Sequence, residues 1–331
     1  MVASWFESAV LLSTLSVAAC SSSVEPASKP HSTPTPLADA STADAGAITT
    51  MDITVGSFVF HARVAGPEDG QLVLLLHGFP ETSYEWRRQL PALAKAGYRA
   101  VAPDQRGYSP GARPETVDDY NVLNLATDVV GMADALGAKR FHVVGHDWGA
   151  GVAWVVAKAA ADRVITVNTL SVPHPDAFAT VLADPTSCQY TASAYFDTFS
   201  APNSEDALLA NDDAGLRALY TGVDEDAIDE YVRVLGTKDA LGAALNWYRA
   251  NFAGRMIKAP KLGAIGVPTM YIWSDADTAL CKDGADLTAN YVTGPYEFDV
   301  LHGVNHWIAD TDSAELTPLL LAHLGKFKNW D

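Results

Sequence analysis

Gly145-His146-Asp147-Trp148-Gly149 decides how this chain folds. An apolar run containing Phe141, Val143 and Val144 leads into it, and a small-residue helical stretch from Ala150 to Ala161 follows. Strand, tight glycine-flanked turn, helix is the geometry of a nucleophile elbow, which lifts one side chain above the end of a sheet. Here that side chain is Asp147 and not a serine. A carboxylate is an anion without help from a base. It therefore suits attack on a saturated carbon that bears a leaving oxygen or halide, and it does not suit routine acyl transfer.

On either side of the elbow, apolar runs alternate with helical patterns from Met51 onward. Ile53-Thr54-Val55 and Phe58-Val59-Phe60 flank Gly56-Ser57, a hairpin signal. Leu72 to Leu76 is a solid apolar run, as expected of a strand buried on both faces. Glu85 to Lys95 reads as a helix, Arg99 to Ala102 as a strand, and Val164 to Leu170 as the strand after the elbow. Val122 to Leu136 reads as a helix with Leu123, Ala126, Val130 and Ala133 at helical spacing. The alternation predicts an α/β fold, a mostly parallel, doubly wound sheet with helices on both faces.

The alternation stops over residues 171–263, where helical patterns dominate, and acidic starts at Ser204-Glu205-Asp206 and Asp224-Glu225-Asp226 suit helix N-termini. Strand character returns at Thr269 to Trp273 and Tyr296 to Val300, and Ser313 to Phe327 reads as a closing helix. The expected organisation is a core in two parts, 51–170 and 264–331, with 171–263 as a helical cap over the carboxyl ends of the strands, where such sheets place ligands. No internal repeat interrupts it.

The first fifty residues read differently. Ala9 to Ala19 is apolar, too short to span a bilayer, and ends in Val17-Ala18-Ala19-Cys20, which resembles a bacterial lipobox. Residues 1–20 are thus expected to be an export signal with Cys20 the lipidated first mature residue, although the segment before the apolar core carries Glu7 and no Lys or Arg. Residues 21–50, rich in Ser, Thr, Ala and Pro, are expected to be a disordered tether. The expected location is outside the cytoplasm: membrane-anchored, periplasmic or extracellular. Cys188 and Cys281 could pair in an exported protein; two unpaired thiols is the simpler reading. No spacing of Cys and His suggests a metal site.

Composition excludes some functions. The chain of 331 residues has 40 Asp+Glu against 22 Lys+Arg, a net charge of −18, and a mean hydropathy of +0.04. Such a balance argues against nucleic acid, an anionic membrane surface or a highly anionic substrate, and the only membrane link expected is a lipid on Cys20. Oligomeric state is not legible.

Four segments fall at one edge of the expected sheet: His77-Gly78-Phe79-Pro80, the Asp147 turn, Ser274-Asp275-Ala276-Asp277, and Gly303-Val304-Asn305-His306-Trp307. Nucleophile, acid, histidine is the chain order of α/β-hydrolases. His77-Gly78-Phe79-Pro80-Glu81, Trp86-Arg87, Ala102-Pro103-Asp104-Gln105-Arg106-Gly107-Tyr108 and the elbow together resemble the epoxide hydrolases of the α/β-hydrolase fold, over residues 51–331. The resemblance implies that Asp147 attacks an epoxide carbon and forms an ester, that His306 oriented by Asp277 activates water to hydrolyse it, and that a vicinal diol leaves. It implies that two cap tyrosines, Tyr195 and Tyr248, hold the epoxide oxygen, and that the backbone N–H groups of Phe79 and Trp148 form an oxyanion hole. Phe79, Trp148 and Trp86 are expected to line a pocket for a small apolar epoxide, and no cofactor or metal is implied.

Several positions have rivals. Asp277 is favoured over Asp275 because the family places the acid fourth in a Gly-x-x-Asp run, with Ser274 in the glycine position; His306 is favoured over His302 by its Asn-His-Trp setting. Tyr190 lies five residues before Tyr195 and competes with it. His77 and His146 read as structural, and Asp104 with Arg106 as an ion pair or turn contacts. A haloalkane dehalogenase with the same Asp-His-Asp set is the nearest alternative. It would need side-chain N–H donors for the halide, and Phe79 has none. A fluoroacetate-type enzyme would carry Arg where Trp148 stands. A non-catalytic protein on this fold would have lost part of the set.

Overall fold

The structure, a computed structural model, describes residues 46–329. The expected signal over 1–20 with Cys20, and most of the expected tether, lie outside the described residues. The strands are β1 Thr49–Val55, β2 Phe58–Ala65, β3 Gln71–Leu76, β4 Tyr98–Pro103, β5 Phe141–His146, β6 Val164–Leu170, β7 Phe252–Ala253, β8 Met256–Ile257, β9 Thr269–Ser274 and β10 Tyr296–Leu301. β1 starts at Thr49, so the last two residues of the expected tether are strand.

Eight strands form one sheet in the order β1-β2-β4-β3-β5-β6-β9-β10. β1/β2 and β2/β4 pair antiparallel and the remaining neighbours run parallel. β3 shows why. Leu72, Leu74 and Leu76 enter the core on one face, and Val73 and Leu75 enter the core on the other. A strand that is apolar at every position needs cover on both faces. The helices Val122–Ala135 and Trp148–Ala159 give it on the first face, and Gln89–Lys95 and Ser313–Lys326 on the second.

Between β6 and β9 the chain builds helices, among them Pro175–Leu182, Tyr195–Phe199, Glu225–Leu235 and Lys238–Asn251, and then the small antiparallel hairpin β7–β8. Among the described residues no helix is long and apolar enough to cross a membrane.

Three local expectations are corrected. The segment read as one helix over Glu85–Lys95 is a 3-10 turn, Ser83–Arg87, followed by a helix from Gln89. Thr82 accepts the Tyr84 N–H and starts the tighter turn. The helix Val122–Ala135 buries Ala126 and Ala133 of the expected stripe together with Val122, Leu125, Val129 and Met132, but leaves Val130 half-buried and Leu123 54 % exposed. Val122 and Leu123 are both apolar and adjacent, and packing turns Val122 inward in place of Leu123.

Cys188 and Cys281 form a disulfide, which overturns the reading of two free thiols. Gln189 reinforces this join: its amide donates to Ala279 O (2.8 Å) and accepts the Cys281 N–H (2.9 Å). The bond closes a loop of 93 residues, and crosslinks of that span restrict the unfolded chain by about 2–4 kcal/mol. Reduction, or Cys188→Ser with Cys281→Ser, is expected to lower the thermal midpoint by several degrees. Scanning calorimetry with and without reductant checks this, and equal midpoints would remove the bond's stabilising role.

Candidate active site

The elbow is built by steric exclusion. A Cβ on Gly145 would lie 2.2 Å from Gly149 O, and one on Gly149 would lie 2.1 Å from Leu76 O, so neither position admits a side chain. The turn forces Asp147 to φ 48°, ψ −121°, a conformation that costs a non-glycine residue about 1–3 kcal/mol and persists only where packing over-determines it. Gly78 sits against this turn, and a Cβ there would lie 2.7 Å from Asp147 Cβ. That absence lets the Phe79 N–H reach Asp147 Oδ1 at 2.9 Å. Trp148 is the first residue of its helix, so its N–H has no acceptor within the helix.

His306, on the loop after β10, places Nε2 3.6 Å from Asp147 Oδ2 and donates from Nδ1 to Asp277 Oδ2 at 2.8 Å. The Asp277 side chain is fully buried, and its other oxygen accepts the N–H groups of Ala279 (2.7 Å) and Leu280 (3.0 Å). The rivals pair with one another elsewhere: His302, whose side chain is 82 % exposed, bonds Asp275 at 2.7 Å.

Burial alone would raise the Asp147 carboxyl. His306 facing it, the nearby His146 and the Phe79 N–H outweigh burial and hold it below the usual carboxylate range. Burial alone would depress His306; Asp277 on one side and Asp147 on the other overrule it and push the imidazole up to about 10. The free site thus favours an Asp147 carboxylate facing a His306 imidazolium.

Opposite the carboxylate lies a cavity of about 560 Å³, lined near Asp147 by Trp148, Tyr195, Phe196, Tyr248 and Phe252. Tyr195 starts the helix Tyr195–Phe199 and Tyr248 lies in Lys238–Asn251, and their ring centroids are 6.2 Å apart. Burial first, and the Asp147 charge second, push both phenols well above their usual range, so both remain O–H donors; a hydrogen bond with Trp148 works the other way on Tyr248. Tyr190 does not line the cavity; its ring lies under the Arg255 guanidinium at 4.2 Å.

Two expected pocket residues are corrected. Trp86 is fully buried on the far face of the sheet with Leu90 and Val144, because the 3-10 turn directs it there. The Phe79 ring packs edge-on to Tyr248 (5.3 Å) and against Phe199 (5.2 Å), behind the cavity wall. Of the three aromatic residues expected in the pocket, Trp148 lines it. Asp104 and Arg106 do not pair with each other but make the turn contacts that were the other expectation. Arg106 holds Asp128 through two bonds of 2.7 Å, while Asp104 accepts the Ser83 N–H.

Sequence reasoning assigned no role to Glu81 and Glu85. Both are fully buried around His146, at 2.9 Å and 3.1 Å from its Nδ1. Burial pushes both carboxyls up; those same carboxylates, against burial, hold the imidazole well above its usual range. His146 Nε2 donates to the His306 carbonyl at 2.8 Å, and Glu85 accepts the Gly78 N–H at 3.1 Å. The cluster ties the loop that bears the histidine to the loop that bears Phe79. Its ligand atoms lie within 4.8 Å of one another, but an imidazole that donates from both nitrogens has no lone pair for a metal. The signal available was two acids four residues apart beside the histidine loop motif, in a segment otherwise destined for the core. His77 is also structural: burial lowers it to about 4, and it bridges Gly78 O and the Gln105 N–H.

Comparison with known proteins agrees with the fold. Residues 71–312 match the alpha/beta hydrolase fold family. The chain is 34 % identical over 301 residues to epoxide hydrolase A of Mycobacterium tuberculosis, a match spanning 78 % of this chain and 92 % of that protein. It is 34 % identical over 284 residues to the AB hydrolase superfamily protein YfhM of Bacillus subtilis, spanning 82 % and 96 %. Among solved structures, an epoxide hydrolase from hot-environment metagenomes superposes with a TM-score of 0.76 at 26 % identity, covering 84 % of this chain and 99 % of that one.

Proposed function

The chain belongs to the alpha/beta hydrolase fold family, among its epoxide hydrolases, and from that premise we propose that it opens epoxides to vicinal diols through an ester on Asp147. The observation that carries this reading is a carboxylate held in its anionic form and two un-ionised phenols lining one cavity. An epoxide oxygen is a poor leaving group unless it is hydrogen-bonded and then protonated. Tyr195 and Tyr248 supply both while Asp147 attacks the ring carbon from the other side.

The protons balance. As the ring opens, the alkoxide takes a proton from a phenol, and the proton on His306 replaces it. Esterification removes the Asp147 charge, one of the two that held His306 protonated, so the imidazole becomes a base when a base is needed. His306 then takes a proton from water, and the hydroxide adds to the ester carbonyl. The Phe79 N–H, already 2.9 Å from Asp147 Oδ1, and the free Trp148 N–H receive the oxyanion. One such donor is worth roughly 3 kcal/mol. Collapse of the adduct releases the diol and restores the Asp147 anion and the His306 cation.

Tyr195→Phe and Tyr248→Phe keep the ring packing and remove one donor each. Each is expected to slow ester formation by about tenfold or more, and the double variant by about 10²–10⁴, the usual span for a lost general acid. Rapid-quench mass spectrometry of the ester on Asp147 follows that step. A double variant that alkylates at the parent rate would remove the tyrosines from the mechanism.

The Cys188–Cys281 disulfide supports an oxidising compartment, and with it the reading of residues 1–20 as an export signal and of Cys20 as a lipid site.

A further inference from the structure

The cavity that ends at Asp147 opens through a rim unlike the rest of the molecule. Residues 254–263, Gly254-Arg255-Met256-Ile257-Lys258-Ala259-Pro260-Lys261-Leu262-Gly263, carry three cations and no acid in a chain of net charge −18. Arg255, Lys261, Met256 and Leu123 line the cavity mouth, joined by Lys158 from the helix Trp148–Ala159. Met256 is 69 % exposed and Leu123 54 %, the two most exposed large apolar side chains among the described residues. They come from distant parts of the chain and meet at this one opening.

Acids claim few of these cations. Lys158 donates to Ala264 O at 2.8 Å and Lys258 to Arg249 O at 2.7 Å, both backbone carbonyls, and Lys261 is exposed. Arg255 pairs with Asp197 at 3.1 Å. Asp176, the other acid on the cavity lining besides Asp147, is buried and has its oxygens taken by the N–H groups of Leu262 (2.9 Å) and Gly263 (2.8 Å).

We infer that this rim docks on an anionic lipid bilayer, with Met256 and Leu123 entering the acyl boundary and Lys258 and Lys261 meeting headgroup phosphates. Exposed apolar side chains ringed by cations are the surface such an interface selects. Capture of a soluble anionic substrate would use the cations but would leave the exposed Met256 and Leu123 without a purpose. The acidic remainder of the chain does not forbid docking, because charges more than about 8 Å from the interface are screened at physiological salt. From the mouth, the lining passes Val155 and Gly151 along the helix toward Asp147, a run of about 16 Å between residues 147 and 158. An apolar epoxide dissolved in the bilayer would reach the carboxylate without crossing water. That last step rests on the epoxide reading; the docking does not.

The test is co-sedimentation of the full chain carrying Cys20→Ser, which no lipid can modify, with phosphatidylcholine vesicles that contain or lack phosphatidylglycerol. Binding is expected with phosphatidylglycerol only, weakened by salt. Lys258→Glu with Lys261→Glu should weaken it about tenfold or more, and Met256→Ser with Leu123→Ser should weaken it too, with circular dichroism unchanged. No binding, equal binding to both vesicles, or variants that bind like the parent would overturn the docking. So would unchanged vesicle binding beside a raised KM of the lysine variant for a soluble anionic epoxide, which would assign the rim to a substrate head group. Failure of the epoxide reading looks different: vesicle binding stays intact and no epoxide, free or in vesicles, gives a diol.

Discussion

A His306→Gln protein exposed to an epoxide gains the mass of one substrate molecule, held on a peptide that contains Asp147. The two half-reactions ask different things of the histidine. Ring opening draws on the Asp147 carboxylate and the two phenols, which the substitution leaves in place, with His146 and the Phe79 N–H still favouring the anion. Hydrolysis needs a base that can take a proton from water, and a glutamine amide cannot. Loss of a positioned base costs about 10²–10⁴ in rate, so the ester outlives the mixing time and intact-protein mass spectrometry reads it directly. Glutamine also cannot return a proton to the phenols, so trapping should be slower than the parent's first step yet go to completion. An unmodified variant after prolonged exposure would contradict the two-step scheme.

Asp147→Ala abolishes diol formation, the largest effect expected of any single substitution. No neighbour replaces the carboxylate: Glu81 and Glu85 are fully buried around His146, and the Asp277 side chain is fully buried against His306. The same substitution removes one of the two anions facing His306, so the imidazole pKa should fall from its raised value of about 10. NMR titration of the imidazole reads that shift, and it separates loss of the nucleophile from collapse of the site. Diol formation at the parent rate, or an imidazole that titrates as before, would each count against the arrangement.

Steric rules made the scaffold legible. Only glycine fits at 145 and 149, and only a sheet covered on both faces accommodates a run such as Leu72–Leu76, so the elbow and the central strand follow from residue type. Choices between near-equivalent residues were less accessible. Asp275 and Asp277 stand two residues apart, and the turn buries the second against His306 while leaving the first to His302 on the surface. In the helix Val122–Ala135 the expected Ala126 and Ala133 are buried, but tertiary packing turns Val122 inward and Leu123 to solvent. Trp86 belongs to a motif that flanks the site, yet one 3-10 turn carries it to the opposite face of the sheet. The disulfide and the Glu81–Glu85–His146 cluster depend on approaches across the fold, between residues 61 to 93 positions apart, which spacing does not encode.

The central claim is a covalent intermediate on Asp147, and one turnover in water enriched in heavy oxygen tests it most directly. With enzyme in excess over an epoxide, hydroxide adds to the ester carbonyl, so the heavy oxygen should appear in the carboxylate of the Asp147 peptide and the first diol should carry none. Heavy oxygen in that first diol, with an unlabelled Asp147, would mean that water attacks the epoxide itself, and the account would be wrong.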